Sequence, residues 1–171
     1  MDHVWSPWRY KYLTEPRAPA PAKEFCVFCQ IAAEPAKDDA NLIVVRGEHN
    51  FVVLNRYPYT SGHLMIVPYA HQNQLTAISA DAAAEMILMA RASERHLRAV
   101  YNPDGMNVGM NIGESAGAGI AGHIHMHVLP RWAGDTNFMT TVAETRVLPE
   151  ELPVTLMRLR AVFCGTETIS E

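Results

Sequence analysis

Three histidines, His123, His125 and His127, alternate with Ile124, Met126 and Val128. They follow a run containing Gly113, Gly117, Gly119 and Gly122. A period of two is the strand period, so the imidazoles share one face while the apolar residues face a core. At roughly 3.3 Å per residue, His123 and His127 are about 13 Å apart along a strand, too far for all three to ligate one ion. Two chemistries remain. Neighbouring histidines can bind a metal, which a hydrolase would supplement with further ligands. Alternatively, the middle histidine acts as a nucleophile while a neighbour handles the leaving group. The glycines allow backbone N–H groups to turn towards an anion. A phosphate cradle beside a row of imidazoles favours attack at phosphorus.

Cys26-Val27-Phe28-Cys29 is a second constellation. By itself it fits a redox pair, half of a zinc site or a buried reduced pair. Zinc would require two further ligands, usually histidines.

The run His123-Ile124-His125-Met126-His127-Val128-Leu129 is similar to the signature of the histidine-triad superfamily of nucleotide hydrolases and transferases. The resemblance extends from about Cys26 to Trp132. Trp5-Ser6-Pro7-Trp8-Arg9 and the stretch from Pro130 to Phe138 most resemble the branch containing bacterial diadenosine-tetraphosphate phosphorylases. The resemblance implies an enzyme in which His125 attacks the α-phosphorus of a dinucleoside polyphosphate, forming a nucleotidyl-histidine. His127 would support the phosphate oxygens or leaving group, and His123 would orient the site or bind zinc. His63 would pack behind the triad. Nucleotide contacts are implied at Asn55 (ribose), Asn111 (phosphates) and the loop residues Ser115, Gly117, Ala118 and Gly119. Trp132, just beyond the site, is placed either to stack on a base or to fill a core at a turn. A structural zinc is implied at Cys26, Cys29, His123 and the His71 of Pro68-Tyr69-Ala70-His71, with no organic cofactor. A homodimer is also implied. The loop departs from the family pattern: Ala118, Gly119 and Ile120 stand where many members carry a polar Gln or Ser, leaving Ser115 or backbone as donors. Other readings are a nucleoside phosphoramidate hydrolase, or a non-catalytic nucleotide- or metal-binding module.

These residues need a scaffold. The 171 residues are 49% hydrophobic, enough for the core of one domain. The expected organisation is an N-terminal arm over 1–24, the histidine-triad domain over 25–148, and a C-terminal helix and tail over 149–171. Trp5, Trp8 and Tyr12 make the arm too apolar for a free tail, so they are expected to pack on the body or a second subunit. The net charge of −4 gives no reason to expect nucleic-acid binding. Neither a membrane span nor a signal peptide is expected. Three cysteines form no disulfide framework and point to a reducing, cytoplasmic setting.

The fold expected is α+β: a five-stranded, mainly antiparallel sheet with a packed helix and a C-terminal helix. Strands are expected over 42–45, 51–54, 63–67 and 106–111, with a fifth carrying the triad and stopping at Pro130. Gly109 is expected to admit a closely packed element. A helix capped by Ser79 is expected to carry Met86, Met89, Ala90, Ser93, Leu97 and Val100 on one side and to stop at Asn102-Pro103-Asp104-Gly105. Its methionines are expected to fill core rather than form a groove. Leu152, Leu156, Leu159 and Phe163 mark the last helix, with Glu150 and Glu151 in its first turn.

Overall fold

A computed structural model describes residues 26–136 and 149–163. The expectations for Trp5, Trp8 and Tyr12, and the resemblance at Asn137 and Phe138, lie outside the described residues. Five strands, β1 (Ile43–Arg46), β2 (Asn50–Leu54), β3 (Leu64–Pro68), β4 (Gly105–Met110) and β5 (Met126–Arg131), form one sheet in the order β1-β2-β3-β5-β4. Every neighbouring pair is antiparallel. Among the described residues, three α-helices complete the expected α+β fold: α1 (Val27–Ala33), α2 (Ala80–Tyr101) and α3 (Leu152–Phe163).

Register separates the two faces. Val53, Met65, His127 and Gly109 stand opposite one another across four strands, so they share a face. Val52, Ile66 and Met126 line the other, which α2 covers. Asn50 lies on the α2 side and donates to Ala82 O at 2.9 Å and Glu85 Oε2 at 2.7 Å. Met86, Met89 and Leu97 are fully buried there with Val52, Leu54, Leu64, Ile66 and Val128. Each such side chain contributes about 1.5–3 kcal/mol. The methionines are therefore core. Ser79 Oγ accepts from Ala82 N at 3.1 Å, and Asn102 ends the helix in the left-handed conformation at φ 44°. α3 packs on β1 and α2, with Leu156, Leu159 and Phe163 buried.

Four details differ from the sequence expectation. The β5 ladder begins at Met126, because Ile124 N–H donates to Gln72 O at 2.6 Å and not to a strand partner. The strand also continues through Pro130, which pairs with Met106. Proline is tolerated because β3 reaches only to Val128; beyond it Pro130 O accepts from Thr60 Oγ1 at 2.9 Å. No described atom comes within 4 Å of where a Gly109 side chain would stand. This glycine leaves space beside its register partner His127, and no element packs on it. Lastly, Glu150 and Glu151 precede α3; Glu150 accepts from Thr155 Oγ1 at 2.7 Å, and from Tyr101 and Arg158.

Gly62, at φ +78°, turns the chain into β3, and a Cβ there would lie 2.9 Å from Leu97 Cδ2 and 3.0 Å from Tyr101 Cε2. Gly62→Ala is expected to destabilise the fold by about 1–3 kcal/mol. Urea unfolding that leaves the midpoint unchanged would show that the turn accommodates a side chain.

Candidate active site

The triad lies on the sheet face opposite α2. His123 and His125 lead into β5, and His127 sits within it. Their rings face Phe28 of α1, whose centroid is 5.5 Å from His123 and 5.0 Å from His125. The alternation holds at the level of packing: Ile124, Met126 and Val128 are buried in the core.

Hydrogen bonds to backbone groups assign the ring protons. His125 Nδ1 lies 2.9 Å from His123 O. A carbonyl can only accept, so Nδ1 carries the proton and Nε2 the lone pair. His123 Nε2 is 2.8 Å from Pro68 O and donates to it, leaving a lone pair on Nδ1. Tyr59 N–H donates to His63 Nδ1 at 3.2 Å. His63 Nε2 must then be the protonated nitrogen, and it donates to His127 Nδ1 at 2.9 Å. His127 therefore keeps its proton on Nε2. The neighbouring rings of His125 and His127, 4.9 Å apart between centroids, thus differ in chemistry: one offers a lone pair, the other an N–H.

Burial disfavours the charged forms of His125 and His127. It holds His125 below the usual imidazole range, partly offset by the bond to His123 O. Burial, with a smaller contribution from His125, brings His127 down to about 4. At neutral pH the pair is an uncharged ring presenting a lone pair beside an uncharged N–H donor.

A second cluster shares His123. Cys26 Sγ lies 3.3 Å from His123 Nδ1, Cys29 Sγ 3.7 Å from the same atom, and Cys29 Sγ 3.2 Å from His71 Nδ1. All four donor atoms fall within 4.8 Å of one another. Zinc bonds of ~2.3 Å to sulfur and ~2.0–2.1 Å to nitrogen place tetrahedral S and N ligands about 3.6 Å apart. Two thiols and two imidazole lone pairs at these spacings fit a metal site. Both cysteines are unlinked. Burial, then Cys26, pushes the Cys29 thiol up, so a cation would have to displace its proton.

The remaining predicted residues surround this centre unevenly. His63 is fully buried behind His127. Asn55 follows β2 directly and lies beside His63, its Nδ2 3.4 Å from His63 Nδ1, while its Oδ1 accepts from Tyr57 N–H at 2.9 Å. Asn111 abuts the glycine loop, its Nδ2 3.9 Å from where a Gly117 Cβ would be. Within that loop, Gly117 N–H donates to Glu114 O and Ala118 N–H to Gly113 O. Of the amides at 117–119, only that of Gly119 makes no backbone bond among the described residues. Ser115 is exposed in a short 3-10 turn, Glu114–Ala116. Trp132 stands apart from the triad, edge-on to Tyr101 at 6.4 Å. Sequence reasoning missed three groups at the site: Phe28, the Pro68 carbonyl and Tyr59, whose ring lies 6.1 Å from His127. The only sequence signal for Phe28 was its place between the two cysteines.

A model of the HIT domain matches residues 37–134. The AP-4-A phosphorylase of Mycobacterium tuberculosis is 38% identical over 159 residues, covering 89% of this chain and 79% of that protein. The protein named hit from Bacillus subtilis is 30% identical over 115 residues, 67% of this chain and 77% of its own. Among solved structures, a Zn-bound histidine triad family protein from Mycobacterium smegmatis superposes with a TM-score of 0.66 at 29% identity, covering 81% of this chain and 93% of that one.

Nitrogen-detected NMR is expected to show His125 protonated on Nδ1 and His127 on Nε2, with His127 titrating near 4. A His127 protonated on Nδ1 would overturn the assignment. Because its folded pKa lies below the unfolded value, the unfolded chain binds more protons under acid conditions. Stability is therefore expected to be full above about pH 6.5 and to fall as pH drops towards 4.

Proposed function

The chain belongs to the HIT-domain family, and from that premise we propose that it cleaves dinucleoside polyphosphates at the α-phosphorus through a nucleotidyl-histidine. The observation that carries this reading is the bond from His125 Nδ1 to His123 O. It commits one ring nitrogen as a donor and leaves the other as a nucleophile, without a separate base. In the first step His125 Nε2 bonds to the α-phosphorus as the bond to the bridging oxygen breaks. The departing nucleotide takes that electron pair, and the N–H of His127 stabilises it. Positive charge on the nucleotidylated ring is offset by the His123 carbonyl. In the second step water, losing its proton to solvent, or inorganic phosphate, through an anionic oxygen, attacks phosphorus, the N–P bond breaks, and His125 recovers its lone pair. With diadenosine tetraphosphate, water gives AMP and ATP, whereas phosphate gives ADP and ATP. The relative named AP-4-A phosphorylase favours phosphate as the second acceptor.

Asn111 and the Gly119 amide are assigned to the phosphates, and Asn55 to the ribose. Ser115, Gly117 and Ala118 shape the loop that carries that amide. The absence of a side chain at Gly109 leaves room beside His127 for the polyphosphate. Cys26, Cys29, His71 and His123 would hold zinc. When bound, it would tie α1, the segment after β3 and the start of the triad together. The cysteines being unlinked supports a reducing, cytoplasmic setting. A homodimer is inferred from β4, which among the described residues pairs only with β5 and leaves Val108 exposed at the sheet edge.

His125→Ala is expected to lose at least ~10³-fold in turnover of diadenosine tetraphosphate. Retention of most activity, or inversion of configuration at phosphorus, would reject a covalent route through this residue. Native mass spectrometry of protein purified without added zinc is expected to show two chains carrying one zinc each. A metal-free monomer with freely titratable thiols would remove both assignments.

A further inference from the structure

On the far side of Tyr59 from the triad lies a cavity of about 570 Å³. That is within the range of small-molecule sites. Tyr59, Tyr101 and Trp132 supply three aromatic walls, and Asp135, Glu150 and Arg158 supply charge. The Arg158 guanidinium lies 4.9 Å from the Tyr101 ring centroid. Neither the nucleophile nor the leaving-group donor belongs to this cavity. Tyr59 belongs to both places: it lines the cavity, and its ring packs 4.6 Å from His63 and 6.1 Å from His127.

We infer that this cavity receives the nucleoside of the departing half of the substrate. The inference rests on the nucleotidyl-transfer reading and adds a second subsite to it. Aromatic walls suit a planar heterocycle, which stacks on such rings whatever its base identity. The charges exclude the polyphosphate itself, because two carboxylates face one guanidinium. Moreover, Asp135 is held by Arg131 and the Trp132 N–H, while Glu150 is held by Tyr101, Thr155 and Arg158. Asp135 also accepts from a second Arg131 nitrogen and from Thr136 Oγ1, so it contributes charge, whereas Glu150, with three donors, keeps acceptor capacity suited to a sugar hydroxyl or an exocyclic amine. The phosphates would cross Tyr59, with the α-phosphorus at His125 and the remote nucleoside beyond. A substrate with nucleosides at both ends would engage two sites, whereas a nucleoside polyphosphate would engage one.

Ala133 lines the cavity away from the proposed chemistry, and its N–H is anchored to Asp104 Oδ2 at 2.7 Å. Ala133→Phe would fill the space. It is expected to raise KM for diadenosine tetraphosphate at least ~10-fold while changing KM for adenosine 5′-tetraphosphate less than ~2-fold. Equal changes for both substrates, or none for either, would overturn the inference. Ala133→Val, a smaller intrusion, provides the same comparison should the larger side chain impair folding. If the wild type turns over neither substrate, the nucleotidyl-transfer reading fails, and equilibrium dialysis with adenosine still tests the cavity. The variant would then bind one equivalent fewer than wild type; equal stoichiometry would overturn the subsite.

Discussion

One imidazole holds two chemistries together. His123 donates through Nε2 to the Pro68 carbonyl, presents Nδ1 to two thiols, and accepts through its own carbonyl from His125. Each contact restricts the others. The bond to Pro68 sets the tautomer, and that tautomer directs a lone pair towards Cys26 and Cys29. The backbone fixed by those contacts then carries the carbonyl that assigns the proton on His125. A histidine held only by packing could flip between tautomers, and the alternative would place a proton where this arrangement presents a lone pair.

The second half of the site is ordered by a chain of donors beginning at a backbone amide. Tyr59 N–H can only donate, so the polarity of His63 and then His127 follows from it. The loop supplying that amide is pinned at Thr60 to the Pro130 carbonyl and turned at Gly62 against α2. Core packing on one sheet face thus reaches the chemistry on the other through a short, constrained turn. Burial adds the electrostatics, since removing the rings from water penalises their charged forms.

Much of the scaffold was legible locally. The alternation through 123–128, the Ser79 cap and the stop at Asn102 are short-range signals, and the structure follows them. Gly109 misled because glycine in a strand reads equally as close approach or as empty space. The strand limits at Met126 and Pro130 depended on Gln72 and Thr60, residues remote in sequence. The loop amides were another such case: glycines permit a nest, but only the folded loop shows that Gly117 and Ala118 donate to their own loop carbonyls.

By itself the sequence determined residue types and periods: imidazoles on one strand face, a thiol pair three residues apart, flexible backbone beside them and a core large enough for one domain. Those are properties of neighbours in the chain, set by pleat geometry and side-chain chemistry. Tertiary structure alone decided which nitrogen of each ring bears its proton, that Phe28 and Tyr59 flank the triad, and that Tyr101, Trp132 and Glu150 enclose a cavity. Hydrogen-bond direction and enclosure require groups from distant segments to meet at defined angles, and no local pattern encodes such a meeting.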